Sequence, residues 1–198
     1  MSWLIDSFNH LDNKVAIIHK DTSYTYQELF NNIEKIRKEI IEKKINPGEV
    51  VSIVDDYSFD SISLLIALYQ NKNIIVPITS KIEDEVNTKI KESFSSKSIL
   101  LIKNKIIINN HKVNDLHQMI KTLQGANCSG LIFFSSGSTG TPKAMIHNFD
   151  NLIDHYKNKK QRSINMILFL MFDHIGGLNT LLNILSTGAT MIIPENRN

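Results

Sequence analysis

An α/β fold, with a mostly parallel sheet flanked by helices on both faces, is predicted by three features of the sequence. Short runs of Ile, Val and Leu recur without polar interruption, as in VVSIV (Val50–Val54), NIIVPI (Asn73–Ile78) and SILLI (Ser98–Ile102). Strands buried on both faces have this composition, whereas half-exposed strands alternate apolar and polar residues. Between those runs lie longer stretches whose apolar residues fall on one helical face. Strand and helix patterns then alternate from end to end, the rhythm of parallel strands joined by crossover helices.

Each element follows from local chemistry. Trp3, Leu4 and Phe8 suit one side of a short amphipathic N-terminal helix. VAIIH (Val15–His19) reads as a strand with YTY as a short partner. Thr25 is placed to cap a helix over 26–44, with Gln27 and Glu28 in its first turn and Leu29, Ile33, Ile36, Ile40 and Ile41 inward. Asn46-Pro47-Gly48 stops it. After the strand 50–54, Ser58–Gln70 reads as a helix with Ile62, Leu65, Ile66 and Tyr69 inward. A strand 73–78, a helix 82–94, strands 98–102 and 105–109, and a helix 113–123 follow. The second half continues with a strand 131–135 and a helix through about residue 158 capped by Asp150. Then come a buried strand 164–171, a helix 177–185 ending near Gly188, and a last strand 189–194.

Composition narrows the class. The 198 residues are 42% hydrophobic and 21% charged with a formal net charge of +2, which offers no electrostatic case for nucleic acid. The basic stretch Lys157–Arg162 is short and reads as a solvated helix end. Cys128 stands alone, which excludes an intrachain disulfide framework, fits a reducing compartment and suits burial as a small apolar side chain. The N-terminus lacks a basic start and a long apolar run, and the apolar stretch before Asp173 is too short to span a bilayer. A cytoplasmic protein without a membrane span is expected. The histidines show no zinc-ligand clustering.

The chemistry concentrates in SSGSTGTPK, Ser135–Lys143, directly after the apolar run Leu131–Phe134. Glycine-freed backbone N–H groups, side-chain hydroxyls and one ammonium together suit a polyanion, so a phosphate cradle is the first expectation. No Gly-Lys pair is present, which excludes a Walker A loop. The glycine spacing also excludes a dinucleotide fingerprint. Ser136 lacks the glycines of a hydrolase nucleophile elbow.

This loop resembles the phosphate-binding motif of the adenylate-forming (AMP-binding) superfamily, which includes acyl-CoA synthetases and peptide-synthetase adenylation domains. Ser135 through Lys143 match the family pattern, and Ala144 replaces a usual glycine. Ser23–Phe30, Ala67–Ile78 and Met171–Leu182 are similar to further family elements in the same order. The resemblance implies an ATP-dependent, carboxylate-activating ligase that uses Mg2+, with coenzyme A, or a phosphopantetheine arm on an acyl-carrier protein, as acceptor. Ser135, Ser136, Gly137, Ser138, Thr139 and Gly140 would wrap the phosphates, and Thr139 would approach the magnesium. Lys143 would face the phosphates or else pin the loop through a salt bridge. His147 would pack on or bond to the loop.

His174-Ile175-Gly176-Gly177 resembles the acyl-CoA synthetase version of the substrate-pocket element, in which histidine orients the carboxylate. Phe172-Asp173 echoes the peptide-synthetase version, whose aspartate grips an ammonium; a helix-capping role for Asp173 is the plainer alternative. Gly176 and Gly177 would leave room for the acyl group or permit close helix packing. By the same resemblance, residues 1–198 form a partial N-terminal AMP-binding domain without a C-terminal half, expected to be inactive in adenylation alone. Three readings follow: a portion of an intact ligase, one half of a split enzyme completed by another chain, or an inactive nucleotide-binding or interaction remnant. The acid activated is not specified.

Overall fold

The protein, seen as a computed structural model, is described for residues 3–102, 105–135 and 142–195. Helix α1 (Trp3–Asp6) runs into a 3-10 turn at Ser7–His10, and together they bury Leu4, Ile5 and Phe8. Strand β1 (Val15–His19) turns back as β2 (Thr22–Thr25) and leads into α2 (Tyr26–Glu42). Thr25 accepts a hydrogen bond from the Glu28 N–H while the Glu28 carboxylate accepts from the Thr25 N–H, a reciprocal capping box. The backbone bond to Thr25, followed by its side-chain bond, holds the Glu28 carboxyl below its ordinary pKa. Leu29, Ile33, Ile36 and Ile40 are buried along one face, each burial stabilising by about 1.5–3 kcal/mol. Ile41, expected on that face, is 59% exposed.

Next come β3 (Val50–Val54), α3 (Phe59–Gln70) and β4 (Ile74–Ile78). Every residue of α3 from Ser61 to Tyr69 is buried, so the helix is apolar on nearly all sides and not on one face alone. Then follow α4 (Glu83–Glu92), β5 (Lys97–Ile102), β6 (Lys105–Asn110), α5 (Gln118–Gly125) and β7 (Gly130–Ser135). The chain continues through β8 (Lys143–Asn148), α6 (Phe149–Asp154), β9 (Asn165–Ile167), α7 (Ile175–Thr187) and β10 (Thr190–Ile193).

The strands divide into two sheets. One has the order β6-β5-β3-β4-β7-β8, with the inner four parallel and both edge strands antiparallel. The other has the order β2-β1-β10-β9, in which β1, β10 and β9 are parallel. A single apolar cluster joins residues of both sheets to α1, α2, α3 and α7. The Tyr26 hydroxyl donates to the Ala189 carbonyl at 2.7 Å and ties α2 to the second sheet, and burial pushes its phenol pKa up.

Several expectations are corrected. Residues 143–148 form a strand, because they pair in register with β7. Helix α6 is capped by Asn148, which accepts from the Asn151 N–H at 3.0 Å, and it ends at Asp154. Asp150 instead pairs with Lys72 at 2.8 Å and accepts from the Ser129 N–H. Helix α5 starts at Gln118, and Cys128 is only half-buried. The expected buried strand 164–171 is ordered as β9 over three residues alone. Ile164, Ile167, Phe169, Leu170 and Met171 are exposed there, while Leu168 and Phe172 are buried.

Candidate functional site

Strand β7 is built to carry a loop. Leu131, Ile132 and Phe133 are buried, and Gly130 lets the strand approach its neighbours closely. A Cβ there would lie 2.9 Å from Leu123 Cδ1 and 3.1 Å from Ile74. At the far end Ser135 and Lys143 face each other as cross-strand partners, so one hairpin connection spans them. Ser136, Gly137, Ser138, Thr139 and Gly140 lie outside the described residues. Ser135 is half-buried and Lys143 is exposed. Among the described residues Lys143 has no carboxylate partner, so no ion pair of the kind that would pin the loop is present there. The His147 ring lies 6.2 Å from that of Phe133.

The C-terminal ends of parallel strands from both sheets meet around a cleft of about 1170 Å³, where ligands collect in open α/β sheets. Its walls include His19, Asp55, Tyr57, Ser80, His111 and Glu195. Burial, foremost, raises the Asp55 carboxyl above its ordinary value; the hydrogen bond from the Asp56 N–H opposes it, the Asp56 and Asp60 charges add to it, and Lys81 opposes it. Burial likewise lowers His19 and His111, the latter bonded to the Ser98 hydroxyl at 2.8 Å. None of these was singled out from the sequence, because they come from strand ends far apart in the chain.

Residues 171–174 are latched to the first sheet. The Phe172 N–H donates to Asp56 Oδ1 at 3.3 Å, and the Phe172 ring lies 4.9 Å from that of Tyr57. Asp173 accepts from the Thr79 N–H at 3.3 Å and from Lys89 Nζ at 3.1 Å. Asp173 therefore does not cap α7. The cap is His174, whose Nδ1 accepts from the Gly176 N–H at 3.0 Å. In the neutral ring that bond leaves the proton to Nε2, on a side chain that is exposed. Lys89 lies 84 residues before Asp173 in the chain, and no sequence pattern announced the pair. Gly177 is buried with the Met171 carbonyl oxygen 2.4 Å from where a Cβ would stand. Met171, not His174, reaches the cleft wall.

Among the described residues no group of three or more His, Cys, Asp or Glu side chains could hold a metal ion. Among them, too, no helix is long and apolar enough to cross a membrane.

The chain belongs to the AMP-binding enzyme family, whose profile matches residues 6–198. It is 22% identical over 219 residues to a 2-succinylbenzoate--CoA ligase of Bacillus pumilus (strain SAFR-032), covering 98% of this chain and 43% of the relative. It is 24% identical over 155 residues to a D-alanine--D-alanyl carrier protein ligase of Lacticaseibacillus rhamnosus, covering 72% and 30%. The fold is similar to the Klebsiella oxytoca NpsA N-terminal subdomain in complex with 3-hydroxybenzoyl-AMSN, with a TM-score of 0.76 at 17% identity. That superposition covers 96% of this chain and 52% of the other. The chain thus spans about half of that subdomain and less than half of the Bacillus ligase.

Proposed function

We propose that residues 135–143 form the nucleotide-holding part of a ligase that activates a carboxylic acid as its acyl-adenylate. The observation that carries this reading is the Ser135–Lys143 register, which makes the SSGSTGTPK segment one connection at the C-terminal end of a buried parallel strand. In the reaction a carboxylate oxygen attacks the α-phosphorus of ATP. The acyl–O–P bond forms as the bond to the β-phosphate breaks, and pyrophosphate leaves with the electron pair. A thiol, coenzyme A or a carrier-protein phosphopantetheine, then displaces AMP.

Such catalysis rests on positioning and on charge stabilisation. Ser135, Ser136, Ser138 and Thr139 supply hydroxyl donors, Gly137 and Gly140 open backbone N–H groups to the phosphates, and Lys143 supplies a positive charge. Mg2+, a hard cation, would be held by phosphate oxygens and the Thr139 hydroxyl and would neutralise charge on the leaving pyrophosphate. His174, at the start of α7 and outside the cleft wall that Met171 reaches, would offer its Nε2–H to the acid's carboxylate only if the acid lies on that side of the cleft. The Lys89–Asp173 pair supports an acid without an ammonium group over an amino acid, since that aspartate already has a cation.

Carboxylate-dependent ATP–pyrophosphate exchange tests the proposal, run with a panel of acyl, aryl and amino acids on residues 1–198 alone, where none is expected, and on a complete ligase that carries them. In the complete ligase the expected result is exchange that depends on one class of carboxylic acid and falls about a hundredfold in Lys143→Ala, the usual scale for losing one such donor. ATP binding there with no exchange for any acid would replace the ligase reading with that of a nucleotide-binding module.

A further inference from the structure

Helices α4 and α5 both pack on strand β8, and between them lies a hollow of about 410 Å³. It opens on the face of the first sheet whose apolar cluster contains no residue of the second sheet. Its floor is Ile132 with its cross-strand partner Ile146, together with Ala144, which shares the Ile146 side of β8. Phe94 and His117 form two of its walls, with ring centroids 6.4 Å apart and planes at 42°. Met119 and Met145 complete the lining and are 53% and 42% exposed. The size is that of a small-molecule site, and no lining residue is shared with the cleft at the strand ends.

Two features here go against local structure. Phe94 follows the last turn of α4 with φ at +57°, its N–H bonded to the Lys91 carbonyl. Glycine or asparagine ordinarily takes that left-handed position, and a bulky residue held in it marks a place where the ring is wanted. Glu92 is the last residue of α4, where the carbonyl end of the helix disfavours a negative charge. Among the described residues it has no ion pair, whereas Lys89 of α4 and Lys121 of α5 are committed to Asp173 and Asp115. Lys91 lines only the adjoining hollow, with Glu92 on the shared rim. His117 Nδ1 is occupied by the Met119 N–H at 3.3 Å. A free carboxylate at a helix carbonyl end calls for a cation, and two rings with two thioethers call for a flat aromatic body. We propose that this hollow binds a small aromatic amine, its ring between Phe94 and the methionines and its ammonium on Glu92. The inference uses neither residues 135–143 nor the cleft, so it stands apart from the ligase proposal.

The test is a titration of the full chain, labelled with carbon-13 at the methionine methyls and followed by NMR. The probe is tryptamine; tryptophol and indolepropionate are its neutral and anionic matches on the same ring and tether. Tryptamine is expected to shift the Met119 and Met145 signals saturably and to leave Met171, on the cleft wall, in place. Tryptophol binds about threefold to fivefold more weakly, the scale of one exposed ion pair, and indolepropionate more weakly still. Glu92→Gln brings tryptamine level with tryptophol, and Ala144→Leu, which fills the floor, removes the binding of both. Both positions are exposed, and unchanged melting curves verify that the variants fold. No saturable shift at Met119 and Met145, an equal shift at Met171, or tryptophol or indolepropionate bound as tightly as tryptamine would each overturn the inference. So would a tryptamine affinity indifferent to Glu92→Gln or to Ala144→Leu.

Discussion

Replacing Gly177 by alanine exposes the joint between α7 and the loop that bears His174. The added Cβ would sit 2.4 Å from the Met171 carbonyl oxygen and 3.0 Å from both the Leu170 carbonyl oxygen and the Tyr57 hydroxyl. Two of these neighbours are backbone, so the helix or the loop must move. Overpacking of this kind costs about 1–3 kcal/mol, offset by up to about 1 kcal/mol from the better helix propensity of alanine. The net loss is about 1–2 kcal/mol. Gly176→Ala is the matched control one residue earlier. Its Cβ meets Leu170 Cδ1 at 2.7 Å and His174 Nδ1 at 3.1 Å, both ends of exposed side chains and neither of them backbone. That variant stays within about 0.5 kcal/mol of the parent. Urea unfolding at neutral pH reads both, and a slope near 2 kcal/mol per molar puts the Gly177→Ala midpoint roughly 0.5–1 M lower. The Met171 carbonyl also accepts the His174 N–H at 3.1 Å, so the displacement passes to the candidate substrate residue. Equal midpoints for the two variants, or a more stable Gly177→Ala, would refute the close-approach argument.

Two further outcomes follow from local electrostatics and capping. The Asp55 pKa is raised on folding, so its contribution to stability is present below the ordinary carboxylate value and is lost as pH rises through the folded value. Asp55→Asn therefore melts higher than the parent at pH 7, and the gap closes in acid; a gap that stays constant with pH would contradict this. Thr25→Ala removes the side-chain half of the α2 capping box and lowers stability by about 1 kcal/mol in the same urea titration. No change there would mean that Glu28 alone serves the helix end.

The sequence made visible whatever is set by local periodicity. Thr25, Ser58 and Gly188 end or begin helices where their chemistry says they should, because capping is decided within four residues. The uninterrupted Ile and Val runs marked the buried strands β3 and β4 for the same reason, whereas in β5 only Ser98 and Ile99 are buried. What sequence could not convey was partnership. The split into two sheets depends on β10 choosing β1, 175 residues away at the Thr190–Val15 hydrogen bond. Strand β8 escaped notice because Lys143, Ala144 and Met145 are exposed and only pairing with β7 defines it. Residues 164–171 read as buried because apolar composition cannot distinguish a covered strand from an uncovered seam. At the site, the expectation for residues 135–143 came from residue types and the family resemblance, and of its site residues Ser135 and Lys143 lie among the described ones. The latch formed by Asp56, Thr79 and Lys89 on residues 172–173 was not legible, since its members are joined only by the fold.

The most direct measurement is equilibrium binding of MgATP to the parent protein and to the double variant Thr139→Ala/Lys143→Ala, followed by calorimetry at fixed salt. If the hydroxyls and ammonium of residues 135–143 hold the triphosphate, the double variant binds at least about a hundredfold more weakly, on the scale of two lost charge-assisted contacts. AMP, which lacks the β- and γ-phosphates, loses much less. Undiminished MgATP affinity in the double variant would contradict the account at its base.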